Sequence, residues 1–268
     1  MKKITPTFKT DILFKLLFVK HPELLRRLVA HVLKIPLDGI SQFEIKNPEI
    51  PPDIMGKKFC RLDINMIVDG QNVNLEVQVE NEGDYPERVL YHWARLYSNS
   101  LPSGKKYHEL PRTIVISILD ITQFESSAEY HSEFQILEKV RNESLTDKMV
   151  LHFFELSKLP ETLDREDMLL LWLALFKANT EEELMQIYEL GVPELSEAVN
   201  AYHSVTASEE FKELERLRIK ASHDEAQALF TAEKRGAETE RKKWQLANIQ
   251  LLEEIDKLKQ EIEDLKSS

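Results

Sequence analysis

Residues 61–80 read RLDINMIVDGQNVNLEVQVE, and this stretch predicts a β-hairpin. Apolar and polar residues alternate on both sides of Asp69-Gly70, a dipeptide that strongly favours a two-residue hairpin turn. With that turn, Asp63 lies directly opposite Glu76. A four-residue turn would instead make the two acids diagonal neighbours. In both cases they share one face of the hairpin, where opposed Cβ atoms are about 5 Å apart.

The two faces of this hairpin differ in chemistry. One face is apolar, and the other carries the two acids together with Arg61, Asn65, Asn74, Gln78 and Glu80. Two carboxylates held this close need a proton, a basic partner or a cation. A hard ion such as Mg²⁺ suits a site of one or two carboxylates, waters and phosphate oxygens. The alternative is an amphipathic hairpin whose polar face lies in solvent, with Arg61 neutralising the acids.

Helices and strands are intermixed around the hairpin. Spacing of apolar residues predicts a helix in residues 10–33, interrupted at His21-Pro22, and another helix at Glu87–Leu101. Further strands are predicted at Thr113–Leu119, Phe134–Val140 and Met149–Leu156. The apolar, β-branched run Thr113–Leu119 is typical of a central strand that is covered on both faces. This pattern predicts an α/β core with a mixed sheet.

The chain is helical after Pro160. Helices are predicted at Arg165–Lys177, Glu181–Leu190 and Pro193–Val205, followed by one long helix from Glu209 to the end. We therefore expect an α/β domain at residues 1–160, a helical segment at 161–207 that packs on this core, and a long helix at 208–268.

The end of the long helix has a heptad pattern. The seam residues are spaced alternately by four and three: Trp244, Asn248, Leu251, Ile255, Leu258, Ile262 and Leu265. With Ile255 at position a, Glu254 and Glu261 occupy g positions and Lys259 and Lys266 occupy e positions. This arrangement favours a parallel two-stranded coiled coil and predicts a homodimer through residues 244–266. The alternative is a single amphipathic helix that folds back on its own domain.

Composition limits the function classes. The net charge is −12, but residues 1–112 hold 17 Lys and Arg against 14 Asp and Glu, so the acidic excess is C-terminal. Basic pairs such as Lys105-Lys106 could contact phosphates, or each pair could be solvated surface. The single cysteine, Cys60, excludes an intrachain disulfide framework and leaves no cluster of Cys and His ligands for a zinc site. With no predicted signal peptide or membrane span, we expect a cytoplasmic protein.

Several segments, in order, resemble the PD-(D/E)XK nuclease superfamily, and within it the Rpn recombination-promoting nucleases, a group also described as transposases. The resemblance covers roughly residues 7–260. Residues 8–18 (FKTDILFKLLF) resemble the family's D-x-x-F-K-x-L-F helix, and 61–64 (RLDI) with 74–78 (NLEVQ) resemble its catalytic hairpin. Residues 88–97 (RVLYHWARLY) and 151–159 (LHFFELSKL) are similar to later family segments.

The resemblance implies a restriction-endonuclease-like fold, with a mixed β-sheet core flanked by helices, and a Mg²⁺-dependent DNA endonuclease, with Mn²⁺ or Ca²⁺ as alternative ions. It implies that Asp63 and Glu76 are metal ligands, with the backbone carbonyl of Val77 as a further candidate. Gln78 occupies the position where the superfamily has lysine. It can position a water molecule but supplies no charge.

The resemblance also implies roles for residues outside the hairpin. Asp11 corresponds to a helix acid that points at the metal, and its alternative role is to favour the N-terminal end of the helix dipole. Arg88, Tyr91, Lys105 and Lys106 are candidates for DNA contact, with packing as the alternative role for Tyr91. The competing hypothesis for the whole chain is an interaction protein that keeps the fold and the coiled coil without turnover.

Overall fold

The computed structural model describes residues 3–47, 63–80, 83–101 and 103–267, without the side chains of 261, 263 and 265–267. Its strands are β1 (Phe43–Ile45), β2 (Ile64–Val68), β3 (Gln71–Gln78), β4 (Thr113–Leu119), β5 (His131–Leu137) and β6 (Ser144–Glu155). Its helices are α1 (Asp11–Lys20), α2 (Pro22–Leu33), α3 (Tyr85–Asn99), α4 (Met168–Lys177), α5 (Glu181–Glu189), α6 (Pro193–Ala207) and α7 (Glu209–Ser267).

These six strands form one mixed sheet in the order β1-β2-β3-β4-β6-β5. The pairs β3–β4 and β4–β6 are parallel, and the other neighbouring pairs are antiparallel. The mixed sheet with its flanking helices confirms the predicted α/β, restriction-endonuclease-like fold class.

The β2–β3 hairpin has the predicted two-residue turn. Val68 pairs with Gln71, and the register continues to Ile64 opposite Leu75. Asp69 and Gly70 have φ values of 47° and 76°, as the primed turn that matches strand twist requires. The next position of this register places Asp63, which directly precedes β2, opposite Glu76.

β4 is buried along its whole length because helices cover both faces of the sheet. On one face, alternate residues of β2, β3, β4 and β6 pack with α1, α2 and α4–α6 in the main hydrophobic core. On the opposite face, Val115, Leu119 and Phe153 pack with Tyr85 and Val89 of α3 in a second core. The indole of Trp93 fixes α3 to the sheet by donating a hydrogen bond to the backbone oxygen of Thr113 at 3.0 Å.

The helical segment after β6 belongs to the main core. Leu171, Trp172 and Phe176 of α4 are fully buried there, together with Leu184 of α5 and Leu195 of α6. The Asp167 carboxylate caps α4 by accepting a hydrogen bond from the Leu170 N–H at 2.9 Å. The division of the chain at residues 160 and 207, with a helical segment between them, stays a prediction.

The chain divides into two compact units. The first contains the described residues up to Arg216, and the second begins at Leu217 and contains the remainder of α7. None of the helices in the described part of the chain has the length and apolar character that crossing a bilayer requires.

Sequence patterns located most elements but misplaced several ends. β1 was not predicted, and β5 begins three residues earlier than expected. β6 begins five residues earlier, because β5 and β6 continue past the core as an exposed hairpin with a turn at Asn142 (φ 55°). α4 begins at its Asp167 cap rather than at Arg165. Residues 61 and 62 of the predicted hairpin, which include Arg61, lie outside the described residues, as does Cys60.

Candidate active site

Asp63 is held by two amide side chains of the hairpin. Its Oδ2 accepts hydrogen bonds from Asn74 Nδ2 at 2.6 Å and from Asn65 Nδ2 at 3.0 Å. Asn74 Nδ2 also donates to Asn65 Oδ1 at 3.0 Å. These contacts fix Asp63 on the same hairpin face as Asn65, Asn74 and Glu76, because every second residue of a strand points to the same face.

Glu76 is buried, with only 6% of its surface exposed. Its Oε1 accepts hydrogen bonds from Tyr85 Oη at 2.6 Å and from Ser117 Oγ at 3.2 Å. Burial raises the pKa of Glu76, and the nearby Asp63 carboxylate raises it further. The two hydrogen bonds and the imidazole of His92 act in the opposite direction without cancelling the increase. The pair is therefore a site of unfavourable negative charge, which a bound cation would relieve.

Lys15 brings a positive charge to this pair from α1. The side chain is 1% exposed, and Nζ donates a hydrogen bond to the backbone oxygen of Asp63 at 2.9 Å. Burial lowers the pKa of Lys15 to about 8, although the Asp63 carboxylate acts to raise it. At neutral pH the amine is therefore mostly protonated beside Asp63.

Gln78 is also buried, and both ends of its amide have partners. Nε2 donates to the backbone oxygen of Glu80, and Oε1 accepts from Arg88 Nη2 at 3.1 Å. The Arg88 guanidinium lies 4.8 Å from the centre of the Tyr85 ring. Arg88 and Tyr85 thus connect Gln78 with Glu76 through α3.

The polar face of the hairpin is therefore covered by α3 rather than open to solvent, which contradicts the simple amphipathic alternative. Sequence reasoning did not select Tyr85, His92, Ser117 or Lys15 as site residues. Tyr85 and Ser117 carry no local signal, because only the β3–β4 pairing and the packing of α3 bring them to Glu76. A signal did exist for Lys15. It lies within a run of otherwise apolar residues, 12–18, all of which are buried.

Asp11 occupies the first turn of α1. Its Oδ1 accepts a hydrogen bond from the Ile12 N–H at 2.9 Å. This position agrees with the helix-dipole role that sequence analysis gave as the alternative. The neighbouring Lys9, by contrast, reaches the end of β4, where its Nζ lies 2.7 Å from Asp120 Oδ2.

The predicted DNA-contacting residues occupy two separate places. Arg88 contacts Gln78 in the site itself, whereas Tyr91 is 59% exposed one turn further along α3 and is not packed in a core. The Arg95 guanidinium lies 5.9 Å from the centre of the Tyr91 ring. Lys105 and Lys106 are both exposed between α3 and β4, and Lys105 Nζ lies 3.1 Å from Glu109 Oε2.

The family model for PD-(D/E)XK nuclease family transposases matches residues 8–232. This range includes the hairpin, Lys15 and all of α3. No curated protein and no solved structure matches the chain significantly.

Proposed function

Because the chain belongs to the PD-(D/E)XK nuclease family transposases, we propose that it is a metal-dependent DNA endonuclease that hydrolyses phosphodiester bonds. The observation that carries the proposal is the pair of carboxylates, Asp63 and Glu76, on one face of the hairpin, where burial raises the pKa of Glu76 and the Asp63 carboxylate raises it further. The function shared with the family is nuclease-related. The metal, the DNA substrate and a role in recombination or in mobile elements are what we add.

The residues of the site fit a hard divalent cation. Both candidate ligands are carboxylates, the backbone carbonyl of Val77 is a further oxygen candidate, and the described site has no thiolate. This donor set suits Mg²⁺, with Mn²⁺ or Ca²⁺ as alternatives. When bound, such an ion would polarise a phosphodiester and lower the pKa of a water molecule. Asn74 and Asn65 orient Asp63, while Tyr85 and Ser117 orient Glu76.

We assign the positive charge of the reaction to Lys15 rather than to Gln78. The superfamily's lysine is replaced by Gln78, whose amide already binds Arg88 and the Glu80 backbone. Lys15 approaches Asp63 from α1 and supplies a protonated amine at neutral pH. A fixed cation there would stabilise the negative charge that develops on the phosphate. Gln78 could still position water, as expected from the sequence, because each end of its amide can make a second hydrogen bond.

Asp11, Arg88, Tyr91, Lys105 and Lys106 remain proposed contributors to the site and to DNA binding. The best-supported DNA contact is on the exposed face of α3, where Tyr91 and Arg95 offer an aromatic surface and a cation. Such a pair can contact a base and a phosphate. For Asp11, the metal-directed role stays a proposal beside the hydrogen bond that its Oδ1 accepts from the Ile12 N–H.

A second function is favoured by one observation. Without the superfamily lysine at position 78, the fold could bind DNA or a partner without turnover. In this second reading the chain acts as a dimeric interaction module. In both readings we propose a cytoplasmic homodimer through residues 244–266. The exposed seam residues Trp244, Leu251, Ile255, Leu258 and Ile262 support the dimer.

A plasmid-nicking assay distinguishes the two functions. Native protein, Asp63→Ala and the control Asp147→Ala, at an exposed position of β6, are compared with Mg²⁺, with Mn²⁺ and with EDTA. We expect cleavage by the native protein and the control only when metal is present, and at least a hundredfold slower cleavage by Asp63→Ala. Equal cleavage by native protein and Asp63→Ala would eliminate the endonuclease proposal.

A further inference from the structure

Two histidines and a glutamate meet on the sheet face opposite Glu76. Glu133 of β5 pairs directly with His152 of β6, and His131 lies two residues before Glu133 on the same strand. All three side chains therefore project from one face. His152 also pairs with Ile116 of β4, which belongs to the main core. Ser117, the neighbour of Ile116, points to the other face and contacts Glu76.

The three side chains already have the spacing of a metal-ligand set. His131 Nε2 lies 3.1 Å from His152 Nδ1, and His152 Nδ1 lies 3.9 Å from Glu133 Oε2. One ligand atom from each residue can be chosen so that all three lie within 4.8 Å of one another. In a tetrahedral zinc site, bonds of about 2.0–2.1 Å separate ligand atoms by roughly 3.4 Å. One ion could therefore reach all three through side-chain adjustments alone.

Packing keeps this set in place and in a suitable chemical form. The His131 ring stacks on Phe154 with ring centres 4.4 Å apart, and His152 is 6% exposed. Burial lowers the pKa of His152 to about 4 and also lowers that of His131. Both imidazoles therefore present neutral nitrogen atoms at pH 7, the form that binds a metal.

The set borders a cavity of about 170 Å³. The cavity wall also includes Lys34, Gln71 and Arg112. Three protein ligands leave a fourth tetrahedral position open toward this space, as in zinc sites that bind water or substrate. Lys34 and Arg112 place positive charge on the same wall, so the open position would favour an anionic ligand such as hydroxide, a carboxylate or phosphate.

We propose that His131, Glu133 and His152 bind a divalent transition metal ion of the zinc class at a second site, separate from Asp63 and Glu76. Imidazole nitrogen with one carboxylate suits zinc or cobalt, whereas Mg²⁺ prefers oxygen ligands throughout. The ion would join the edge strand β5 to β6 at the start of β5, where His131 pairs with Phe154 of the main core. Its assignment does not depend on nuclease activity.

The test measures metal binding without using cleavage. Full-length protein is stripped with a chelator and titrated with Co²⁺ and Zn²⁺, by calorimetry and by the visible absorption of tetrahedral Co²⁺. A background variant, Asp63→Ala with Glu76→Gln, removes the first site. In that background we compare His131→Gln, Glu133→Gln and the control His203→Ala. Glu133 is 40% exposed, so its substitution should not impair folding. His203 is an exposed histidine that lies beside Glu181.

We expect one equivalent of Co²⁺ or Zn²⁺ to bind the background variant and the His203→Ala control. Affinity should fall at least tenfold in His131→Gln and in Glu133→Gln, with loss of the tetrahedral Co²⁺ spectrum. The proposal is overturned if the background variant binds no ion, or if both ligand variants bind as tightly as the control. Phosphate binding without any metal binding would overturn it as well, because the cavity would then be an anion site.

Discussion

Lys15 is the residue at which function and folding oppose each other most directly. The Lys15 side chain is 1% exposed, and burial lowers its pKa from 10.5 to about 8 although the Asp63 carboxylate acts to raise it. At about 1.4 kcal/mol per pKa unit, keeping Lys15 charged in the folded protein costs roughly 3 kcal/mol. A residue that is costly to bury is retained more readily when its charge is used, which is the role proposed beside Asp63.

Replacing Lys15 with methionine should therefore stabilise the protein and inactivate it. We expect Lys15→Met to raise the free energy of unfolding at pH 7 by up to about 3 kcal/mol, less the hydrogen bond lost at the Asp63 oxygen. We also expect it to slow DNA cleavage by about a hundredfold or more. Urea unfolding in EDTA and the nicking assay measure the two effects separately.

The pH dependence gives this prediction its control. The folded-state pKa of Lys15 lies below the unfolded value, so the unfolded chain binds more protons between about pH 8 and 10.5. The Lys15 contribution to native stability therefore rises with pH in that window. The advantage of Lys15→Met should shrink from pH 7 to pH 10. A variant less stable than the native protein at pH 7 would contradict the cost assigned to Lys15.

Tyr85 should tune the protonation of Glu76. Its hydroxyl donates to Glu76 Oε1, and this bond favours the charged carboxylate. Tyr85→Phe removes the bond, so the pKa of Glu76 should rise further and the acid limb of the cleavage–pH profile should move to higher pH. Tyr97→Phe is the matched control, since Tyr97 stacks on Trp93 at 5.0 Å in the same helix. Identical cleavage–pH profiles for the native protein and Tyr85→Phe would show that Tyr85 does not influence the protonation of Glu76.

At the scale of elements, the sequence predicts those features that the alternation of apolar and polar residues and the choice of turn residues determine locally. The hairpin register follows from Asp69-Gly70, and the buried strand β4 follows from its continuous apolar run; the two-residue turn and the bounds of β4 were predicted as observed. β1 could not be predicted, because three residues carry too little periodicity. The covering of the polar face by α3 could not be predicted either, since it depends on the parallel pairing of β3 with β4.

A buried ion pair holds the segment after β4 in place. Glu155, at the end of β6, is 1% exposed and accepts hydrogen bonds from the Gln123 and Phe124 N–H groups at 2.7 and 3.2 Å. Lys158 Nζ contacts Glu155 Oε2 at 2.6 Å and donates to the Phe124 backbone oxygen at 2.7 Å. The family-like segment LHFFELSKL therefore contains a structural clamp.

Removing one partner of this clamp should be costly. We expect Lys158→Met to lower the free energy of unfolding by about 3–5 kcal/mol, because Glu155 would keep a buried charge without its cation. The double variant Glu155→Gln with Lys158→Met should recover most of that loss, since no unpaired charge remains. Urea midpoints report both effects. Glu155→Gln is measured alone as well. If the double variant loses as much free energy of unfolding as the sum of the losses in Lys158→Met and Glu155→Gln, the two charges are not coupled.

At the scale of the whole molecule, α7 is the part whose stability local packing explains least. From Leu217 onward it forms a unit of its own, and the seam residues Trp244, Leu251, Ile255, Leu258 and Ile262 are 44–68% exposed. Helices in proteins gain most of their stability from tertiary packing, and isolated helices are only marginally stable in water. A second copy would supply such contacts, with Asn248 at an a position to set the register. A dimer would also contain two active centres, which suits a nuclease that cuts both DNA strands.

The dimer is tested by a single charge placed in the seam. We expect full-length native protein to sediment as a dimer at micromolar concentration and Ile255→Lys to sediment as a monomer, because a lysine at a central a position opposes its own copy in a parallel pair. The control Lys257→Glu changes a charge two residues away on the outer face and should leave the dimer intact. In the cleavage assay, Ile255→Lys should shift the products from linear to nicked plasmid. If the native protein sediments as a monomer, the dimer proposal is wrong, and the alternative of a single amphipathic helix applies to α7.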